Sequence, residues 1–192
     1  RVADAVGLGP SAERRHGPVK TLGVTWFIES LDIAGVYVPF TGEANVSGDQ
    51  PDLSFPAVAA HEQAHQRGLA RENEATFAGL VAAVNADDPF VRYSGWARVL
   101  RTLRYDLVRI DRAAWEEIGG DLLPGVLRDW RAYNEWLRSS RSPAGPVASA
   151  ANDVYLRAHG VPGGVESYGR VTTLLLQWAR RYEGDLILRG EG

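Results

Sequence analysis

The pentapeptide His61-Glu62-Gln63-Ala64-His65 constrains this chain more than any other stretch of it. Two imidazoles four residues apart can meet one ion from one side if the backbone between them is helical, because positions i and i+4 then lie one above the other on the same face. Glu62 follows the first histidine, rotated about 100° around the axis. That sets a carboxylate beside the open coordination position, where it can take a proton from a bound water.

Two neighbouring features extend the pattern. Gly68 stands three residues after His65, where the chain must turn if a third ligand is to come back to the ion, and Arg71-Glu72-Asn73-Glu74-Ala75 follows at once. The chain has no cysteine, so the third donor is a carboxylate or one of the two other histidines, His16 and His159. Two histidines and one glutamate form a catalytic zinc set with a fourth position left for water. If a second helix starts near Arg71, Glu72 and Glu74 point about 200° apart and only one of them faces the ion. Glu72 with Ala75 and Thr76 resembles the Glu-x-x-Ala-Asp/Asn pattern of gluzincin peptidases, in which the glutamate binds zinc. The supporting position four residues later is Thr76 here, where that pattern has Asp or Asn. Glu72 is the favoured ligand, and Glu74 is the alternative.

The surroundings fit an α+β, mainly α, single domain over residues 1–192. Residues 1–20 read as an irregular lead-in, rich in Gly, Pro and charge. Over 22–47, Val24 to Ile28, Gly35 to Val38 and Gly42 to Val46 are expected to form short strands, the last at an edge. Residues 55–86 hold the metal-site helices: Ser54 caps one from Phe55 to Arg67, Gly68 stops it, and a second runs from Arg71 to Ala86. In the helical part, 88–184, Asp87-Asp88-Pro89 starts a long helix from Phe90 to Ile110. Further helices are expected at 121–141, 148–159 and 166–182, with a linker at 142–146. Trp96, Trp115, Trp130, Trp136 and Trp178 recur on apolar helical faces and are assigned to the core.

Composition narrows the partners. A formal net charge of −3 lacks the basic excess of a duplex-binding domain, so no nucleic-acid partner is expected. Arg98, Arg101, Arg104, Arg109 and Arg112, interleaved with Asp106 and Asp111, read as a solvated helical face. No apolar run approaches the ~18 residues of a membrane span, and no signal peptide is visible. The chain opens at Arg1 and contains no methionine, which reads as a piece of a longer product. No Gly-x-Ser-x-Gly elbow and no Walker loop is present.

Four ordered segments carry a broader likeness: Pro39 to Asn45, His61 to Phe77, Arg92 to Gly95, and Asn152 to Leu156 with Ser167 to Arg170. With them the chain resembles the bacterial domain-of-unknown-function family numbered 3810, grouped with zincin-like metallopeptidases. The resemblance implies a zincin-like fold and a membrane-anchored protein, whose N-terminal spans precede an extracytoplasmic domain. It implies a membrane contact only through a segment before Arg1.

The function expected from these residues is zinc-dependent hydrolysis of a peptide or related amide bond, with Zn2+ on His61, His65 and Glu72 and with Glu62 as general base. The partner is a peptide or protein substrate, a cell-wall peptide included. Zincins often add a downstream Tyr, His or Arg to stabilise the oxyanion. Tyr168 and Arg170 are the first candidates for that catalytic role, followed by Tyr155, His159 and Tyr93. Gly42 to Val46 is the candidate strand for binding substrate backbone. The rival readings are a catalytically inactive zincin-fold binding or regulatory module, and a metal-free helical interaction domain.

Overall fold

The computed structural model describes residues 6, 8, 16–23, 34–140, 169–183 and 185–188. The expected strand at 24–28, the linker at 142–146, the helix at 148–159 and residues Tyr155, His159 and Tyr168 lie outside them, as does the side chain of Arg170.

Among the described residues three strands form one sheet, in the order β1 (Lys20–Leu22), β3 (Glu43–Ser47), β2 (Gly35–Val38). β2 and β3 form an antiparallel hairpin with Tyr37 opposite Ala44. Its turn closes through the Gly42 amide on the Val38 carbonyl (2.8 Å) and needs a positive φ, 69°, at Gly42, which a glycine adopts without steric cost. β1 runs parallel to β3 with Thr21 opposite Val46, and the Lys20 ammonium pairs with the Glu43 carboxylate across that join. The edge position expected for Gly42 to Val46 is corrected: β3 is the central strand, and Ala44, Val46 and Ser47 are fully buried in it. The strand at 20–22 falls at the join between the expected lead-in and the strand region.

Among the described residues six helices follow: α1 (Phe55–Gln66), α2 (Glu72–Val84), α3 (Pro89–Ile110), α4 (Arg112–Gly120), α5 (Pro124–Ser140) and α6 (Gly169–Arg181). The architecture is α+β and mainly α. α1 starts after Ser54, but the Ser54 hydroxyl donates to the Pro51 carbonyl (2.7 Å) and makes no cap bond. A first-turn amide of α1, that of Ala57, finds its acceptor instead in Ser94 Oγ of α3 (3.2 Å). Asp88 caps α3 as the sequence indicates, accepting from the amides of Phe90 and Val91. Asp111 ends α3 and caps α4 through the Ala114 amide (3.0 Å), so a helix unexpected from the sequence occupies 112–120.

The core lies on one side of α2. Leu80, Val81 and Val84 pack with Val99 of α3, with Val171, Leu175 and Trp178 of α6, and with Leu186. Burying each such side chain contributes roughly 1.5–3 kcal/mol. Phe77 meets Trp178 edge to face at 5.5 Å. Trp178 is thus core, whereas Trp96 is exposed and Trp115, Trp130 and Trp136 are half-buried. The other side of α2 is lined by small residues against α1, and Ala64, Ala75 and Ala78 form a second, smaller cluster there. A Cβ on Gly79 would stand 2.8 Å from the His61 amide nitrogen, so glycine sets how closely the two helices approach at the histidines. No described helix is long and apolar enough to cross a membrane.

Candidate metal centre

α1 carries His61, Glu62 and His65, and α2 carries Glu72 and Thr76. Between the helices, the chain turns at Gly68, whose φ of 103° favours glycine. The turn returns the Leu69 carbonyl to α1, where it lies 2.6 Å from His65 Nδ1. A carbonyl only accepts, so Nδ1 carries the proton, and the neutral ring presents a lone pair at Nε2. The Thr76 hydroxyl lies 3.1 Å from His61 Nδ1 and can accept its N–H in the same way. Thr76 therefore supports a histidine from the position where the gluzincin pattern has Asp or Asn.

The two Nε2 atoms face each other at 3.2 Å. Glu72 closes the triangle, with Oε2 3.2 Å from His61 Nε2 and Oε1 3.5 Å from His65 Nε2. A tetrahedral zinc ion held at 2.0–2.1 Å separates its donor atoms by about 3.3 Å. The three side chains form a group able to hold a metal ion by the spread of their donor atoms. The chemistry of the set points the same way. Two imidazole lone pairs and a carboxylate converging on one point repel unless a cation or protons lie among them. Glu74, the alternative ligand, faces away and pairs with Arg71 (3.0 Å). His16 joins no such group among the described residues.

Glu62 is 5% exposed. It sits against β2, where a Cβ on Gly35 would come within 2.8 Å of its Oε1, and the Tyr37 backbone bonds to its carboxylate. Burial pushes Glu62 up to about 8; the charge of Glu72 adds to this, and His65 and the Tyr37 bond oppose it. A dication nearby would draw it down. Burial also disfavours the charge on Glu72, but its bonds to His61 and His65 outweigh that and hold it well below the usual carboxylate range. Burial dominates at His61 and lowers it. At His65 burial is outweighed by Glu72, and the ring is raised. The Tyr37 ring stacks on His65 at 6.4 Å.

Several neighbours of the site were not singled out in the sequence. The Leu69 carbonyl and the Tyr37 backbone leave no side-chain signal. Gly35 in a strand and Gly79 in a helix do leave one, since each marks close approach of another chain segment. Among the oxyanion candidates, Tyr93 donates to Asp129 of α5 (2.6 Å), and the others lie outside the described residues or, for Arg170, have no described side chain. The Arg92 to Gly95 segment has structural work throughout. Arg92 binds the carbonyls of Ala86 and Asp87, Ser94 binds the start of α1, and Gly95 admits the Ala83–Val84 backbone of α2.

No curated protein and no solved structure matches this chain. A family model described as "Protein of unknown function (DUF3810)" matches residues 5–176. The match takes in both helices of the candidate metal centre and most of the chain, which therefore belongs to that family.

Proposed function

We propose that the chain is a zincin-like metallopeptidase domain that hydrolyses a peptide or related amide bond. The observation that carries this reading is the donor triangle of His61, His65 and Glu72, with the Nε2 of each imidazole directed at the shared point and a partner at its Nδ1. Zinc bound there would make a water acidic near neutral pH and polarise the scissile carbonyl. Glu62 follows His61 on α1, is buried there, and would accept a proton from the attacking water. It then passes the proton to the leaving amine, whose basicity rises as the C–N bond breaks. The low polarity around Glu62, which favours its protonated form, suits it to hold the proton between these steps. An extracytoplasmic setting, with a membrane anchor ahead of Arg1, belongs to the same proposal.

The test is Glu62→Gln assayed against a quenched peptide library beside wild type. The expected result is an unchanged zinc content with hydrolysis reduced by roughly 10²–10⁴-fold. Equal cleavage by both proteins would sink the assignment of Glu62.

A further inference from the structure

A pocket enclosing about 340 Å³ of empty space, open solvent at its mouth included, lies between α1, α3 and α5. Val58, Ala97, Arg98, Arg101, Trp130 and Tyr133 form much of its wall. Val58 precedes Glu62 by one helical turn, and both side chains press on β2 at Gly35: a Cβ there would meet Val58 Cγ1 and Glu62 Oε1 at 2.8 Å each. The pocket's wall on α1 therefore ends one helical turn before the proposed general base.

Among the described residues its walls hold cationic donors without anionic partners. The Arg101 guanidinium lies 3.8 Å from the Tyr133 ring centroid, and Arg98 Nη1 donates to the Tyr133 hydroxyl (3.2 Å). Among the described residues neither arginine has a carboxylate within ion-pair distance. The Trp130 indole N–H is buried and has no acceptor among the described residues. Burial lowers Arg101 to about 10, a value that still leaves it charged at neutral pH. Two half-buried guanidiniums held close together repel each other, and an anion between them would relieve that. Guanidinium geometry favours a carboxylate, which it can bind through paired N–H bonds. The aliphatic and aromatic walls favour an apolar group next to that carboxylate.

We propose that this pocket is the specificity site of the peptidase and binds a substrate carboxylate, from a free C-terminus or an acidic side chain, flanked by an apolar residue. The assignment of a substrate rests on the peptidase reading; the anion site itself does not. The test measures binding of three fluorescent probes to the full chain, zinc-loaded and chelator-treated. They are dansyl-Ala-Leu-Phe with a free carboxylate, its C-terminal amide, and the amide of dansyl-Ala-Leu-Glu.

The free acid is expected to bind on the order of tenfold more tightly than the amide, with a smaller margin at high salt. Arg98→Gln and Arg101→Gln should each collapse the margin. Recovery of affinity by the Glu-containing amide assigns the pocket to acidic side chains, and failure to recover assigns it to a C-terminus. Equal binding of acid and Phe amide by wild type overturns the proposal without recourse to any variant, as does an undiminished margin in both variants. Zinc content of the same samples separates the two claims. An acid preference in protein that takes up no zinc sinks the peptidase reading alone, and zinc uptake without any preference sinks this one alone.

Discussion

Glu72 and Glu74 stand two residues apart at the start of one helix and meet different fates: one turns to the imidazoles, the other to Arg71. The sequence supplied the reason that only one could serve, because successive helical positions diverge by about 100°. It also left Thr76 as a mismatch, where the structure has a hydroxyl against His61 Nδ1. Thr76→Val keeps the shape and removes that acceptor. Zinc affinity, measured by competition with a chromophoric chelator, should weaken by roughly 10–100-fold; an unchanged affinity would mean the hydroxyl does not orient the ring. Glu62 supplies a prediction in pH. In metal-free protein its pKa rises from 4.5 to about 8 on folding. Between those values the folded chain keeps a proton that the unfolded chain releases, so Glu62 lowers stability as pH rises. Glu72 has the opposite sign: its depressed pKa contributes stability above the unfolded value, lost as pH falls. Metal-free Glu62→Gln should therefore exceed wild type in melting temperature by more at pH 8 than at pH 5. A gap that is the same at both pH values would argue against a buried, protonated Glu62.

At the scale of elements, the site depends on how closely α1 and α2 approach. A Cβ on Gly79 would meet backbone atoms of Ala60 and His61 at 2.8–3.0 Å, and backbone cannot swing aside. Gly79→Ala should cost about 1–3 kcal/mol in denaturant unfolding and weaken zinc binding as His61 moves from Glu72. Gly125→Ala, whose nearest neighbour is the far end of Arg128 at 3.8 Å, is the control and should be neutral or stabilising. If the two variants behave alike, close packing at Gly79 does not set the site. The helices that carry the site, and α3 after them, were legible because their signals are local: the His-x-x-x-His spacing and Gly68 for the site, and the Asp88-Pro89 start for α3. What long-range contacts decide was not. The sequence of residues 43–47 cannot say whether two strands or one will pair with them, and β1 joins through a parallel pairing 25 residues away. Ser54 looks like a cap, but Ser94, forty residues later, supplies the bond. Arg98 and Arg101 read as solvated because nothing in α3 reveals that Trp130 and Tyr133 of α5 cover that face; Arg104, Arg109 and Arg112 are exposed, as expected.

For the molecule as a whole, α2 divides the labour. Its apolar side is buried against α3 and α6, while its small-residue side holds the donor triangle against α1. The candidate metal centre thus rests on a core that does not include it, and its donor side chains can be removed without emptying that core. This separation makes a direct test possible: metal content by mass spectrometry on wild type, Glu72→Ala and Glu74→Ala, each incubated with zinc and freed of excess. The account predicts about one zinc per chain in wild type and in Glu74→Ala, and a large loss in Glu72→Ala with the fold retained. Wild-type protein that takes up no zinc, or a Glu72→Ala variant that holds it as firmly as wild type, would contradict the account.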